Sequence, residues 1–206
     1  MKLPERKIYL ASKSPRRREL LRQIGVEFEI LQLRDHTARG PDVSEAVRPD
    51  ELPHEYVARV CGEKASFAWQ MIQKRRLPSR PVLAADTTVV IDGKILGKPA
   101  CTAEAIEMMR QLSGRTHQVM TSIALHHNAQ SWQLTQISEV TFADLSESTI
   151  DRYCATHEPY DKAGGYGIQG LAAVFIRHIS GSYSGIMGLP LFETTQLLQE
   201  AGIRPL

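Results

Sequence analysis

The stretch Leu83-Ala84-Ala85-Asp86-Thr87-Thr88-Val89-Val90-Ile91-Asp92-Gly93-Lys94-Ile95-Leu96-Gly97-Lys98-Pro99 decides the reading of this chain. An apolar, β-branched run is interrupted by one acid, Asp86, and then by Asp92-Gly93. Asp-Gly between alternating apolar residues signals a tight hairpin, because a type I′ turn needs positive φ at both central positions. A two-residue loop sets Ile91 opposite Lys94, and counting back puts Lys98 opposite Thr87, next to Asp86. A carboxylate in an apolar strand with a lysine delivered beside it suits a site that handles a metal and a phosphate. A lone acid there also reads as the end of a strand. Strict alternation puts Asp86 and Lys98 on opposite faces, so a bulge or the strand end must re-aim one of them.

Working outward, Lys7 to Ala11 reads as a short buried strand that runs into Ser12-Lys13-Ser14-Pro15-Arg16-Arg17-Arg18. Ser14 suits an N-cap, Pro15 the first helical position and Gly25 the helix stop. Strand, serine loop and helix N-terminus together form an anion site, since free backbone N–H groups and the helix dipole favour negative charge. Arg16 and Arg17 have the wrong sign for that dipole. They are best tolerated if an anion sits between them, although a solvated basic helix start gives the same pattern. Val26 to Leu31 reads as a second strand, and 33–50 as an irregular segment whose Asp35, Asp42 and Glu45 are candidate metal ligands.

A helix is expected from Glu51 to about Arg75, carrying Lys64, and another after Thr102, which would cap it. Gln118–His126 and Trp132–Phe142 predict a hairpin around a five-residue polar loop. Ser146 caps a further helix. The segment 160–170 holds four glycines in eleven residues and fits neither a Walker loop nor the dinucleotide pattern. Leu171–Ile176 reads as a buried strand, 180–185 as a loop and Leu189–Ala201 as the last helix.

A length of 206 residues suits one domain, or two lobes sharing a core. The net charge of +2 is too small to argue for nucleic acid, and aromatic residues make up only 6%. Cys61, Cys101 and Cys154 show no metal-ligand spacing and fit reduced cytosolic thiols. No apolar run reaches the 18 residues of a membrane span. The expectations are therefore a cytoplasmic location, no nucleic acid and no membrane.

Six motifs occur in order: Ser-x-Ser-Pro-Arg-Arg, Ala-Asp-Thr-x-Val, Gly-Lys-Pro, Ser-Gly-Arg-Thr-His-x-Val, Asp-Lys-Ala-Gly-x-Tyr-Gly-Ile-Gln-Gly and Gly-Ser-Tyr-Ser-Gly-x-Met-Gly-Leu-Pro. Together they closely resemble the Maf family of nucleoside triphosphate pyrophosphatases over nearly the whole chain. The resemblance implies an α/β fold across 1–206: a curved mixed β-sheet flanked by helices, two lobes around a cleft, similar to inosine triphosphate pyrophosphatases. It implies hydrolysis of a nucleoside triphosphate to the monophosphate and pyrophosphate with a divalent cation (Mg²⁺, Mn²⁺ or Co²⁺), and a possible homodimer. Asp86-Thr87-Thr88 and the late glycine loop look like the members that act on dTTP and UTP.

Carried over position by position, Asp86 matches the catalytic acid. Ser12, Arg16, Arg17, Lys64 and Lys98 match the polar and basic cluster around the phosphates, with Lys64 and Lys98 counted as catalytic. Thr87, Lys162 and Gln169 match positions associated with base selection. Asp42 to Pro49 is the best match to the family's early acidic segment, which makes Glu45 the second acid and, with Asp86, a metal ligand. The alternatives are the same chemistry on another base such as 7-methyl-GTP, or a nucleotide-binding regulator with little activity.

Overall fold

A computed structural model describes residues 7–33 and 42–205; Asp35 lies outside them. The elements follow the chain as β1 (Ile8–Leu10), α1 (Pro15–Gln23), β2 (Phe28–Ile30), α2 (Pro53–Lys74), β3 (Val82–Ile91), β4 (Lys94–Leu96), α3 (Thr102–Leu112), β5 (Thr116–His127), β6 (Gln130–Phe142), α4 (Glu147–Cys154), β7 (Ile176–Ser180), α5 (Tyr183–Ile186) and α6 (Leu191–Glu200). One mixed sheet runs β2-β1-β3-β5-β6-β7, with β4 added beside β3. β1 pairs parallel with β2 and β3, whereas β3–β4, β3–β5, β5–β6 and β6–β7 are antiparallel. A mixed sheet flanked by helices is the expected class.

β3 is the axis of the molecule, and its two faces are covered differently. Ala84 packs with Cys61, Ala65 and Ala68 of α2, and Val90 packs with Tyr56, Val57 and Val60 of the same helix. Side chains of even number on β3, Asp86 included, therefore face α2, as the period of two requires. On the other face Leu83 and Ala85 pack with Leu20, Leu21, Leu197 and Leu198, whereas Val89 and Ile91 pack with Ala105, Met109, Leu112 and Ile150. The two apolar clusters of that face lie on either side of Thr87.

The edge of β3 away from β5 is paired twice and left open once. β1 reaches only as far as Leu83, where Ala11 N–H bonds the Leu83 carbonyl at 2.8 Å. β4 begins only at Val89. Between them Ala85 to Thr88 form a notch whose edge carbonyls need other partners.

Local chemistry sets the ends. Asp92 and Gly93 have φ of 50° and 73°, and Ile91 lies opposite Lys94, as the hairpin reading requires. Pairing stops at Leu96, so the strand end frees Lys98 from alternation. Pro15 opens α1, but the Ser14 side chain does not cap it; the Ser14 N–H instead donates to Ser12 Oγ at 3.2 Å. α3 starts at Thr102 with Cys101, not Thr102, in the cap position. The β5–β6 loop is two residues, not five, because Asn128 accepts a left-handed φ of 54°. The expected strand at 171–176 is a 3₁₀ turn, Leu171–Phe175, followed by β7. The Glu158 carboxylate accepts from the N–H groups of Leu171 and Ala172, at 2.6 and 3.1 Å, and winds that start into a turn. In place of the expected plain loop, Ser182 caps the short α5 by accepting from the Gly185 N–H.

Candidate active site

A cleft of about 610 Å³ opens at the notch, where β1 ends, α1 begins and β4 has not yet joined. Its lining brings together Ser12, Arg16, Arg17, Glu45, Lys64, Asp86, Thr87, Lys98 and Lys162. Gln169 is exposed and does not line it.

Asp86 is 9% exposed and points at α2. One turn beyond Val60 and Cys61, Lys64 reaches back so that Nζ donates to Asp86 Oδ1 and Glu45 Oε1, both at 2.6 Å. Glu45 has no helix or strand to place it. Its carbonyl accepts from the Tyr56 hydroxyl at 3.1 Å, and the next carbonyl, of Ala46, accepts from Arg59 at 3.0 Å. Arg59 is fixed in turn by a fork onto Glu51, Nε to Oε1 at 2.5 Å and a terminal nitrogen to Oε2 at 2.9 Å. The acid from the irregular segment is thus hung from α2 by its backbone.

The electrostatics agree with these contacts. Burial by itself would lower the Lys64 ammonium, but Asp86 and Glu45 outweigh it and hold the group above its usual value. Burial, with Asp86 and Glu45 adding to it, pushes the Tyr56 phenol up to about 12, so it stays a donor to the Glu45 carbonyl. Cys61, behind Asp86, is pushed up to about 12 by burial first and Asp86 second, which makes it an inert thiol.

Arg17 is held differently from the phosphate contact expected of it. Nε donates to the Gly188 carbonyl at 2.7 Å, one terminal nitrogen to the Ala85 carbonyl at 2.7 Å and Ser12 Oγ at 3.3 Å, and the other to Thr87 Oγ1 at 3.1 Å. Four of its five N–H groups are therefore used inside the protein. The Ala85 carbonyl is an edge acceptor of the notch. Burial lowers the Arg17 pKa, and Asp86 opposes that shift. Ser12 Oγ accepts from both Arg17 and the Ser14 N–H, so its own proton is left to donate into the cleft.

Arg16 is half-buried on the lining and Lys98 is exposed on the rim. Among the described residues neither makes an ion pair, so both charges are available to an anion. Lys162 turns its ammonium to the Glu158 carbonyl at 2.9 Å and to Asp161. Asp161, Tyr166 and Met187 also line the cleft and carried no motif-independent signal in the sequence.

Among the described residues no three His, Cys, Asp or Glu side chains gather into a metal cage. Two carboxylates suit a hard cation that takes its remaining oxygens from water and phosphate, which is how Mg²⁺ is usually held. The fold and this cleft define an α/β protein with paired acids beside a basic anion cradle.

The chain belongs to the Maf family: residues 7–201 match the model described as Maf-like protein. It is 53% identical over 196 residues to a dTTP/UTP pyrophosphatase of Cupriavidus metallidurans, covering 95% of this chain and 97% of that one. A dTTP/UTP pyrophosphatase of Nitrosomonas europaea is 52% identical over 196 residues, 95% of each chain. One of Aromatoleum aromaticum is 52% identical over 203 residues, 98% of each. Among solved structures, the Staphylococcus aureus Ham1 protein aligns with a TM-score of 0.49 at 13% identity, covering 95% of this chain and 99% of that one.

Proposed function

We propose that this chain hydrolyses dTTP and UTP to the monophosphate and pyrophosphate, with a divalent cation. The observation that carries the reading is the convergence of Asp86, Glu45 and Lys64 with Arg16 and Lys98 on one cleft at a helix N-terminus. Relatives half identical over nearly their full length bear that activity in their names. Cleft residues run from Ala11 to Gly188, which supports reading 1–206 as one functional unit.

Asp86 and Glu45 would hold the cation, Mg²⁺, Mn²⁺ or Co²⁺, and their hard oxygens fit it. When bound, it supplies Lewis-acid charge at the phosphates and acidifies a water. Lys64 occupies Asp86 Oδ1, so Oδ2 is the oxygen that would face the cation, and the Glu45 carboxylate, half exposed, would complete the pair. The Ser12 hydroxyl donates to a phosphate oxygen. Arg16 and Lys98 neutralise charge on the departing pyrophosphate, an electrostatic and positioning effect. Lys162 and Thr87, both on the lining, are assigned to the base. Thr87 offers a lone pair there, which suits the N3–H of uracil or thymine.

The test is pyrophosphate release from dTTP, UTP, CTP, GTP and 7-methyl-GTP, with and without Mg²⁺ or Mn²⁺. Metal-dependent release confined to dTTP and UTP is expected. Release from another base would move the substrate, and none from any would leave a binding protein.

A further inference from the structure

Beyond the residues that meet the cleft, a buried line of hydroxyls crosses the sheet. Thr87 Oγ1 lies 2.9 Å from Thr121 Oγ1, its cross-strand neighbour on β5. Thr121 is fully buried and donates to the Gly185 carbonyl at 2.8 Å. A threonine has one hydroxyl proton. Thr121 commits its proton to Gly185, so the proton between the two threonines belongs to Thr87. Thr87 in turn accepts from Arg17. The line therefore has one direction, from the Arg17 guanidinium through Thr87 and Thr121 to the Gly185 carbonyl.

Both ends fall on the same turn. Arg17 Nε holds the Gly188 carbonyl, and Thr121 holds the Gly185 carbonyl three residues earlier. Space there is tight: a Cβ at Gly188, whose φ is +109°, would meet Arg17 Nε at 3.3 Å and Thr87 Oγ1 at 3.4 Å. Ile186, Met187 and Gly188 line the cleft opposite the acids. Arg17 also fixes the Ala85 carbonyl, one residue before Asp86.

We propose that Thr121 is a positioning residue of this site, acting through Thr87 on Arg17, so that the line fixes the 185–188 turn against β3 beside Asp86. Its effect on turnover rests on the pyrophosphatase reading above. Removing the Thr121 hydroxyl leaves the Gly185 carbonyl with the Gly188 N–H, at 2.9 Å, and without its bond from β5, and it takes from Thr87 the acceptor of its proton, so the turn loses its tie to the sheet and shifts. Displacements of about 1 Å at an active site cost on the order of 10²-fold in rate.

The experiment compares Thr121→Val with Thr121→Ser in the full chain, by dTTP and UTP kinetics and by amide hydrogen exchange. Thr121→Val is expected to lower kcat roughly 10- to 100-fold with KM within about threefold, and to speed exchange at 185–188. Thr121→Ser, which keeps the hydroxyl, is expected to restore both. In the Thr121→Val background Arg17→Lys should cost less than in the wild type, since the line is already broken. Unchanged kcat and exchange in Thr121→Val would overturn the proposal, as would a rise in KM alone or additive effects with Arg17→Lys. Wild-type protein inactive on both nucleotides would sink the pyrophosphatase reading alone, and exchange at 185–188 would then decide the positioning role. If Thr121→Val does not fold, Thr87→Val cuts the same line one step earlier; because Thr87 also lines the cleft, exchange at 185–188 alone decides, faster exchange supporting the proposal and unchanged exchange overturning it.

Discussion

Replacing Lys64 by methionine removes one ammonium and keeps the apolar stem. In the folded chain Nζ lies 2.6 Å from both Asp86 Oδ1 and Glu45 Oε1. Each contact is worth about 6 kcal/mol of gross attraction at an effective dielectric of about 20, offset by several kcal/mol of desolvation for each ion. The net value of the pair is small, but Lys64→Met does not report the net value. It strands Asp86, whose side chain is 12% exposed, without a counter-charge. Breaking a fully buried pair costs about 3–5 kcal/mol. Asp86 borders an open cleft and Glu45, with its side chain 52% exposed, can turn to solvent, so about 2 kcal/mol is expected. For a chain of this size that lowers Tm by about 4–8 °C, read by calorimetry and checked by urea titration. Adding Asp86→Asn to Lys64→Met should recover most of the loss, because the stranded charge is gone. A Lys64→Met protein as stable as the wild type, or a double variant no better than the single one, would refute the reasoning.

Asp86→Asn alone should reduce turnover at least about 10³-fold while far-ultraviolet circular dichroism stays unchanged, since an amide orients a water but does not take its proton. Gly164→Ala should cost about 2–4 kcal/mol in urea titrations, because φ is +68° and a Cβ would lie 2.9 Å from three side-chain atoms of Val89. Pairing it with Val89→Ala removes the two γ-methyls but keeps the Val89 Cβ at 2.9 Å, so only part of the loss and none of the backbone strain should be recovered. Burial pushes His117 down to about 4, against about 6.5 when unfolded. The unfolded chain therefore binds the extra proton first as pH falls. Stability from this residue is complete above pH 6.5 and declines by about 3 kcal/mol on the way to pH 4, a slope that His117→Gln should remove.

Much of the site was legible because its signals are local. Asp92-Gly93 dictated the hairpin, Pro15 and Gly25 bounded α1, and the spacing of Tyr56, Val57, Val60 and Cys61 marked the apolar side of α2, whereas Lys64, flanked by Glu63 and Ala65, read on its own as a surface lysine. Alternation failed for Lys98 only because β4 stops at Leu96, and strand length is a property of pairing that no single strand encodes. Arg17 read as a phosphate contact, yet its donors go to Ala85, Gly188, Ser12 and Thr87, all but one of them distant in sequence. The run Leu171–Phe175 read as a strand because its wrapping depends on Glu158, thirteen residues away. Gln169 lies in a glycine-rich segment without periodicity, so nothing local told its exposed direction from an inward one.

The notch in β3 also bears on how the protein matures. One bond that closes it, from Arg17 to Gly188, spans 171 residues, and another, from Arg17 to Ala85, spans 68. Contacts of such separation form late, after the entropy of closing the intervening loops has been lost. The hairpin partners β5 and β6, adjacent in the chain, have no such wait. Regain of activity should therefore trail regain of secondary structure during refolding, and a nascent chain has its acids and lysines in hand well before it has a working cleft.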